Sequence, residues 1–125
     1  VAILDCKTGK PPTNEQVNSG LSPQLLLESV MLMSGSIADV PKATPTELIY
    51  WQFGGSRPAP QVVEAEGGPA LAAEKALASL RGLLARYAQV EQAFYSKPRV
   101  LFLKPYDEYD LLARRKEWAD EVGDE

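Results

Sequence analysis

Near the start of the chain the stretch VAILDCKTGKPP presents an acid and a base two residues apart, Asp5 and Lys7. Successive side chains of a strand point to opposite faces, so Asp5 and Lys7 share one face while Leu4 and Cys6 share the other. The pair can therefore act on a common ligand. The sequence contains no histidine, which removes every Ser–His, Cys–His and His–metal arrangement at once. Catalysis must then run on carboxylates, lysine, tyrosine or a hard metal ion. Phosphodiester hydrolysis fits that set. It needs a divalent ion to lower the pKa of water, carboxylates to hold the ion, and a cation to orient the attacking water or stabilise the transition state. Magnesium prefers oxygen ligands and takes only one or two protein carboxylates. The Asp5 carboxylate and the backbone carbonyl of Cys6 are the candidate metal ligands for Mg2+, with Mn2+ as the alternative ion, and Lys7 is the candidate cation. A solvent-facing ion pair at a sheet edge has the same Asp-x-Lys spelling, so the surrounding elements must decide.

Val1 to Lys7 reads as a strand, ended by the turn residues Thr8-Gly9-Lys10-Pro11-Pro12. A polar loop is expected through Asn14 and Asn18 to Gly20. Ser22 as N-cap with Pro23 at the first helical position predicts a helix from Pro23 to Met33. That helix is apolar almost all round, and Gln24 and Glu28, four apart, stack on its narrow polar strip. Such a strip either faces solvent or lines a site, and both readings of Glu28 stay open. TELIYWQF predicts a second strand and QVVEA a third, its antiparallel partner. From Pro69 to Tyr87, Ala73, Leu77, Leu80, Leu84 and Tyr87 recur at helical spacing, which predicts an amphipathic helix packed on the sheet. The run from Gln92 to Pro105 is ambiguous between strand and extended arm, and Asp107 to Ala119 reads as a last helix. Cys6 is expected to be a buried, inert thiol, and Tyr50, Trp51 and Phe53 to fill the core. In the last helix Arg114, Arg115 and Lys116 read as a solvated face.

The chain has 125 residues, 45% of them hydrophobic, enough for one domain spanning 1–125 with a real core. A formal charge of −4 argues against a surface coated for nonspecific nucleic-acid binding. No apolar run approaches the length needed to cross a bilayer and no cleavable leader opens the chain, so a soluble, cytoplasmic protein with no membrane partner is expected. The single cysteine, Cys6, can form no internal disulfide and no structural zinc site alone.

ILDCKTGKPP followed by GLSPQLLLESVML resembles the RecB-type nuclease module of the PD-(D/E)XK superfamily, and is most similar to its AddB-type branch, as found in alphaproteobacteria. LIYWQFGG and YDEYDLLARRKEW also look like that family, so the resemblance covers nearly the whole chain. It implies that Asp5 is the metal-binding acid, Lys7 the catalytic lysine and Gln24 the helix glutamine that completes the site. It further implies an α/β, restriction-endonuclease-like mixed sheet flanked by helices, incomplete on its N-terminal side. The expected activity is metal-dependent DNA exonuclease activity in a helicase-nuclease that processes double-strand breaks, with DNA and an AddA-like helicase subunit as partners. This chain departs from the family pattern in three ways. The upstream acid of a DRID-like segment is not in this sequence, Glu28 stands where many such nucleases have tyrosine, and one cysteine cannot supply the four-cysteine iron–sulfur site of some relatives. With one carboxylate and one carbonyl the ion would be held weakly, so the chain alone is expected to cleave slowly or not at all. An inactive nuclease fold serving as a scaffold for DNA binding or subunit docking is the alternative. An unpaired sheet edge would favour self-association.

Overall fold

The computed structural model describes residues 1–53 and 59–94. The expectations for Asp107–Ala119, for the basic cluster within it and for most of Gln92–Pro105 lie outside the described residues. Val1–Gln89 is a compact unit. Its elements are β1 (Ala2–Lys7), α1 (Asn14–Asn18), α2 (Gln24–Ser34), β2 (Glu47–Gln52), β3 (Ala59–Val62) and α3 (Pro69–Tyr87). This is a mixed α/β arrangement. The sheet runs β1-β2-β3, with β1 parallel to β2 and β2 antiparallel to β3. Parallel neighbours need a long crossover, and α1 and α2 fill it.

Where the pattern was strongly periodic, the elements fall where the sequence places them. α3 has its expected limits, Pro69–Tyr87, with proline in its first turn and Gly68 at φ 90°, a backbone angle suited to glycine, as its N-cap. α2 closes on Gly35, left-handed at φ 77°. Its N-cap is Pro23 and it has no side-chain cap. Ser22 does not cap it; its amide donates to the Gln16 carbonyl (3.0 Å) instead. β3 covers Ala59–Val62 and not QVVEA, because the last ladder contact is Val63 N–H to the Leu48 carbonyl (2.8 Å) and the chain then turns away. Pro60 is tolerated there because β3 lies at one end of the strand order.

The polar stretch expected to be a loop holds one short helix, α1. Thr13 and Gln16 form a capping box that starts α1: the Thr13 hydroxyl accepts from the Gln16 backbone amide (3.2 Å) and the Gln16 side-chain oxygen Oε1 accepts from the Thr13 backbone amide (2.9 Å). α1 then clamps the segment after β3. Asn14 Oδ1 accepts from Glu64 N–H (3.3 Å), Asn18 Nδ2 donates to the Glu64 carbonyl (2.9 Å), and Asn18 Oδ1 accepts from Glu66 N–H (3.2 Å). Val17 adds a fully buried apolar anchor. Thr13→Ala is expected to lower the unfolding free energy by about 1 kcal/mol, measured by urea unfolding. No change would mean that Val17 and the asparagines hold α1 without its cap.

The core gathers Val17, Leu25, Leu26, Leu48, Tyr50, Val63 and Ala72, with Ile3, Ala65 and Ala76 packed against it. Leu48 and Tyr50 pair across the sheet with Ile3 and Asp5, so the helices cover the face that carries Ile3, Asp5 and Lys7. The other face carries Leu4, Cys6, Trp51, Phe53 and Val62, all exposed. This reverses the expectation for Cys6: its thiol is on the uncovered face. Trp51 and Phe53 likewise leave the core and stack on each other, ring centres 6.1 Å apart. α3 packs chiefly on α2, and Ala72 joins the core cluster with Leu48 and Tyr50 of β2. Buried Ser29 on α2 and buried Ala72 and Ala73 on α3 are small enough for close approach, and Leu84 stays exposed.

An exposed thiol makes a direct test. Cys6 is expected to react with maleimide in the folded protein within about tenfold of its rate in urea, as accessibility and thiolate fraction govern the reaction. A thiol silent until denaturant is added would mean that this sheet face is covered in solution.

Candidate functional site

Asp5 and Lys7 do project from one face of β1, and that face meets α2. The Lys7 ammonium lies 2.8 Å from Asp5 Oδ2, and the side chains are 32% and 16% exposed respectively. The contact is an ion pair by distance, but it is not aligned as a hydrogen bond. Asp5 Oδ2 is sealed from solvent and has no hydrogen-bond partner among the described residues. The same ammonium donates to Gln24 Oε1 (2.9 Å), and Gln24 Nε2 donates to Glu28 Oε1 (3.0 Å). The four side chains thus form one continuous chain of contacts, Asp5, Lys7, Gln24, Glu28. The amide orientation of Gln24 is fixed by it, since the oxygen must face the donor-only ammonium and the nitrogen the carboxylate.

Local sequence explains the placement. The turn after Lys7 ends β1, so the pair sits at the strand's C-terminal end, and the parallel register sets Asp5 opposite Tyr50 and Lys7 opposite Gln52. Gln24 opens α2, with Glu28 one turn on, and Leu25, Leu26, Ser29 and Leu32 bury the rest of the helix. Only the polar strip is left to face the strand end. Glu28 is therefore part of the site, partly buried and hydrogen-bonded, and not a free solvent-facing acid.

Tyr50 fills the core, as its place in a strand predicts. It is fully buried, yet its ring lies 5.7 Å from the Lys7 ammonium, within range of a cation–π contact. Burial first, then the negative charges of Asp5 and Glu28, push its hydroxyl up to about 12 from an ordinary 10. Both carboxylates therefore act on that hydroxyl. The aromatic residue gave no such sign by itself; the signal is the cross-strand pairing with Asp5.

Two oxygens at this strand end are of the type that a hard divalent ion takes. The Phe53 amide donates to the Lys7 carbonyl (2.8 Å). Because adjacent residues of a strand turn their amides to opposite sides, the Cys6 carbonyl points to the edge of β1 that no described strand pairs. Asp5 Oδ2, buried and unmatched by an aligned donor, is the second oxygen. No group of three or more His, Cys, Asp or Glu side chains gathers among the described residues, so this chain offers a sparse set of ligands. Among the described residues no helix is long and apolar enough to cross a membrane.

Short matches link the chain to curated proteins. It is 54% identical over 33 residues to an uncharacterized protein of Rickettsia conorii (strain ATCC VR-613 / Malish 7) and to one of Rickettsia felis (strain ATCC VR-1525 / URRWXCal2). It is 52% identical over 33 residues to one of Rickettsia bellii (strain RML369-C). Each match covers 26% of this chain, which spans only 4% of the length of those relatives. No family model and no solved structure matches the chain.

Proposed function

We propose that this chain carries part of the active site of a metal-dependent DNA nuclease, a RecB-type, restriction-endonuclease-like domain that hydrolyses phosphodiester bonds. The observation that carries the reading is the contact chain from Asp5 through Lys7 to Gln24, the three residues that the family resemblance assigns to catalysis. In this reading Asp5 and the Cys6 carbonyl would hold a divalent ion, Mg2+ or Mn2+, which when bound would supply an activated water and offset phosphate charge. Lys7 is held between Asp5 and Gln24 so that its ammonium faces the phosphate or the attacking water. Gln24 fixes where the ammonium rests, and Glu28 anchors Gln24 from behind.

The biological setting belongs to the same proposal: an exonuclease that trims DNA ends during double-strand-break repair, alongside an AddA-like helicase subunit. The test is magnesium-dependent degradation of end-labelled single-stranded DNA by a polypeptide extended upstream to supply a further acid, compared with its Lys7→Ala variant. Loss of cleavage with the lysine supports the reading. Two polypeptides that behave alike overturn it and favour a scaffold that binds DNA or a subunit without cutting.

A further inference from the structure

Two buried side-chain atoms among the described residues have no hydrogen-bond partner, Asp5 Oδ2 and the Tyr50 hydroxyl. They belong to paired residues on adjacent strands, Asp5 opposite Tyr50, on the face that α2 covers. One is an acceptor and the other a donor. Leaving a buried hydroxyl unmatched is costly, and a phenylalanine would fill the same core space without that cost. Tyr50 is fully buried, lies beneath the Lys7 ammonium, and feels the charges of both Asp5 and Glu28. A phenol is protonated at neutral pH, so towards an anionic oxygen it can only donate.

We infer that the Tyr50 hydroxyl is a ligand-facing hydrogen-bond donor of this site, which binds an oxygen of a phosphoryl group held against Asp5 and Lys7. The inference rests on the nuclease reading for its substrate class and deepens it by adding a residue from β2. Lys7 and Gln24 are the outermost members, and their contact is exposed. A swing of the lysine from Asp5 onto the incoming phosphoryl oxygen opens the way to the hydroxyl and brings the cation that the two carboxylates require.

The test uses the chain with carbon-13 at the tyrosine ζ position, Tyr50 assigned by Tyr50→Phe, and inorganic phosphate with magnesium as the probe. Phosphate is expected to shift the Tyr50 signal saturably, and Tyr50→Phe to bind phosphate about tenfold more weakly, the loss of one hydrogen bond to a charged acceptor. The melting temperature of Tyr50→Phe should be equal or higher, because an unmatched hydroxyl is gone. Equal phosphate affinity in the two proteins, or no phosphate binding by the wild type, overturns the inference. The Lys7→Ala arm separates it from the reading beneath it. If Lys7→Ala abolishes cleavage while Tyr50→Phe changes nothing, Tyr50 alone is withdrawn. If phosphate shifts Tyr50 and depends on its hydroxyl while the polypeptide extended upstream cuts no DNA, the donor stands and the nuclease reading falls.

Discussion

In a polypeptide extended upstream to supply a further acid, Lys7→Ala is expected to reduce magnesium-dependent cleavage of single-stranded DNA by about 100- to 1,000-fold, the usual cost of removing one preorganised donor from developing charge. The lysine is held from two sides, by Asp5 at 2.8 Å and by Gln24 at 2.9 Å. Its ammonium is therefore already beside the site when a phosphoryl oxygen arrives. Some stability goes with it: the lysine side chain is only about one-third exposed, and its removal leaves the buried Asp5 Oδ2 without its cation, a loss of about 1–3 kcal/mol. Cleavage is therefore compared well below the melting temperature of the variant, where circular dichroism shows both proteins folded, and its loss there separates chemistry from folding. Should folded Lys7→Ala cleave like the wild type, the catalytic assignment is withdrawn. Gln24→Ala provides a graded companion, because it frees the ammonium without removing it and should cost less than the lysine itself.

How much of this could be read from the sequence depends on whether a feature is local. β1, α2 and α3 were legible because their apolar spacing and end signals lie within a few residues of one another. Alternation along β1 correctly grouped Asp5 with Lys7, and helical spacing correctly stacked Gln24 on Glu28. Alternation says which residues share a face, however, not which face a helix will cover. Leu4 and Cys6 look like core beside two charged residues, yet Leu48 and Tyr50 on the neighbouring strand draw the helices to the charged side. The Cys6 error follows from that. α1 was missed because it has five residues, too few for a periodic pattern, although Thr13-x-x-Gln16 spelled out its start. Tyr50 was missed as a site residue because its partner Asp5 lies 45 positions away in the chain, and only the parallel register brings them side by side.

The same register makes Tyr50 a liability at high pH. With its hydroxyl pushed up to about 12 from 10 by burial, then by Asp5 and Glu28, the folded state holds the phenolic proton more tightly than the unfolded state does. The stabilisation is complete below pH 10, where Tyr50 is protonated in both states. It is lost as pH rises from 10 towards 12, because only the unfolded chain then releases the proton. A two-unit displacement corresponds to roughly 3 kcal/mol in full and about 2 kcal/mol by about pH 11.5, a large part of the 5–15 kcal/mol typical of small domains. Other groups titrate as well, so the measurement is a difference: urea unfolding of wild type and Tyr50→Phe at about pH 8 and about pH 11.5. The variant, which has no phenolic proton at this position to lose, should gain about 2 kcal/mol on the wild type between the two conditions. Asp5→Asn should shrink that gain only in part, since burial and not the neighbouring charge is the larger cause. Parallel behaviour of wild type and Tyr50→Phe would show that the hydroxyl meets solvent or a compensating partner in solution. In that event the buried donor, and the phosphoryl contact inferred from it, would lose their physical basis together.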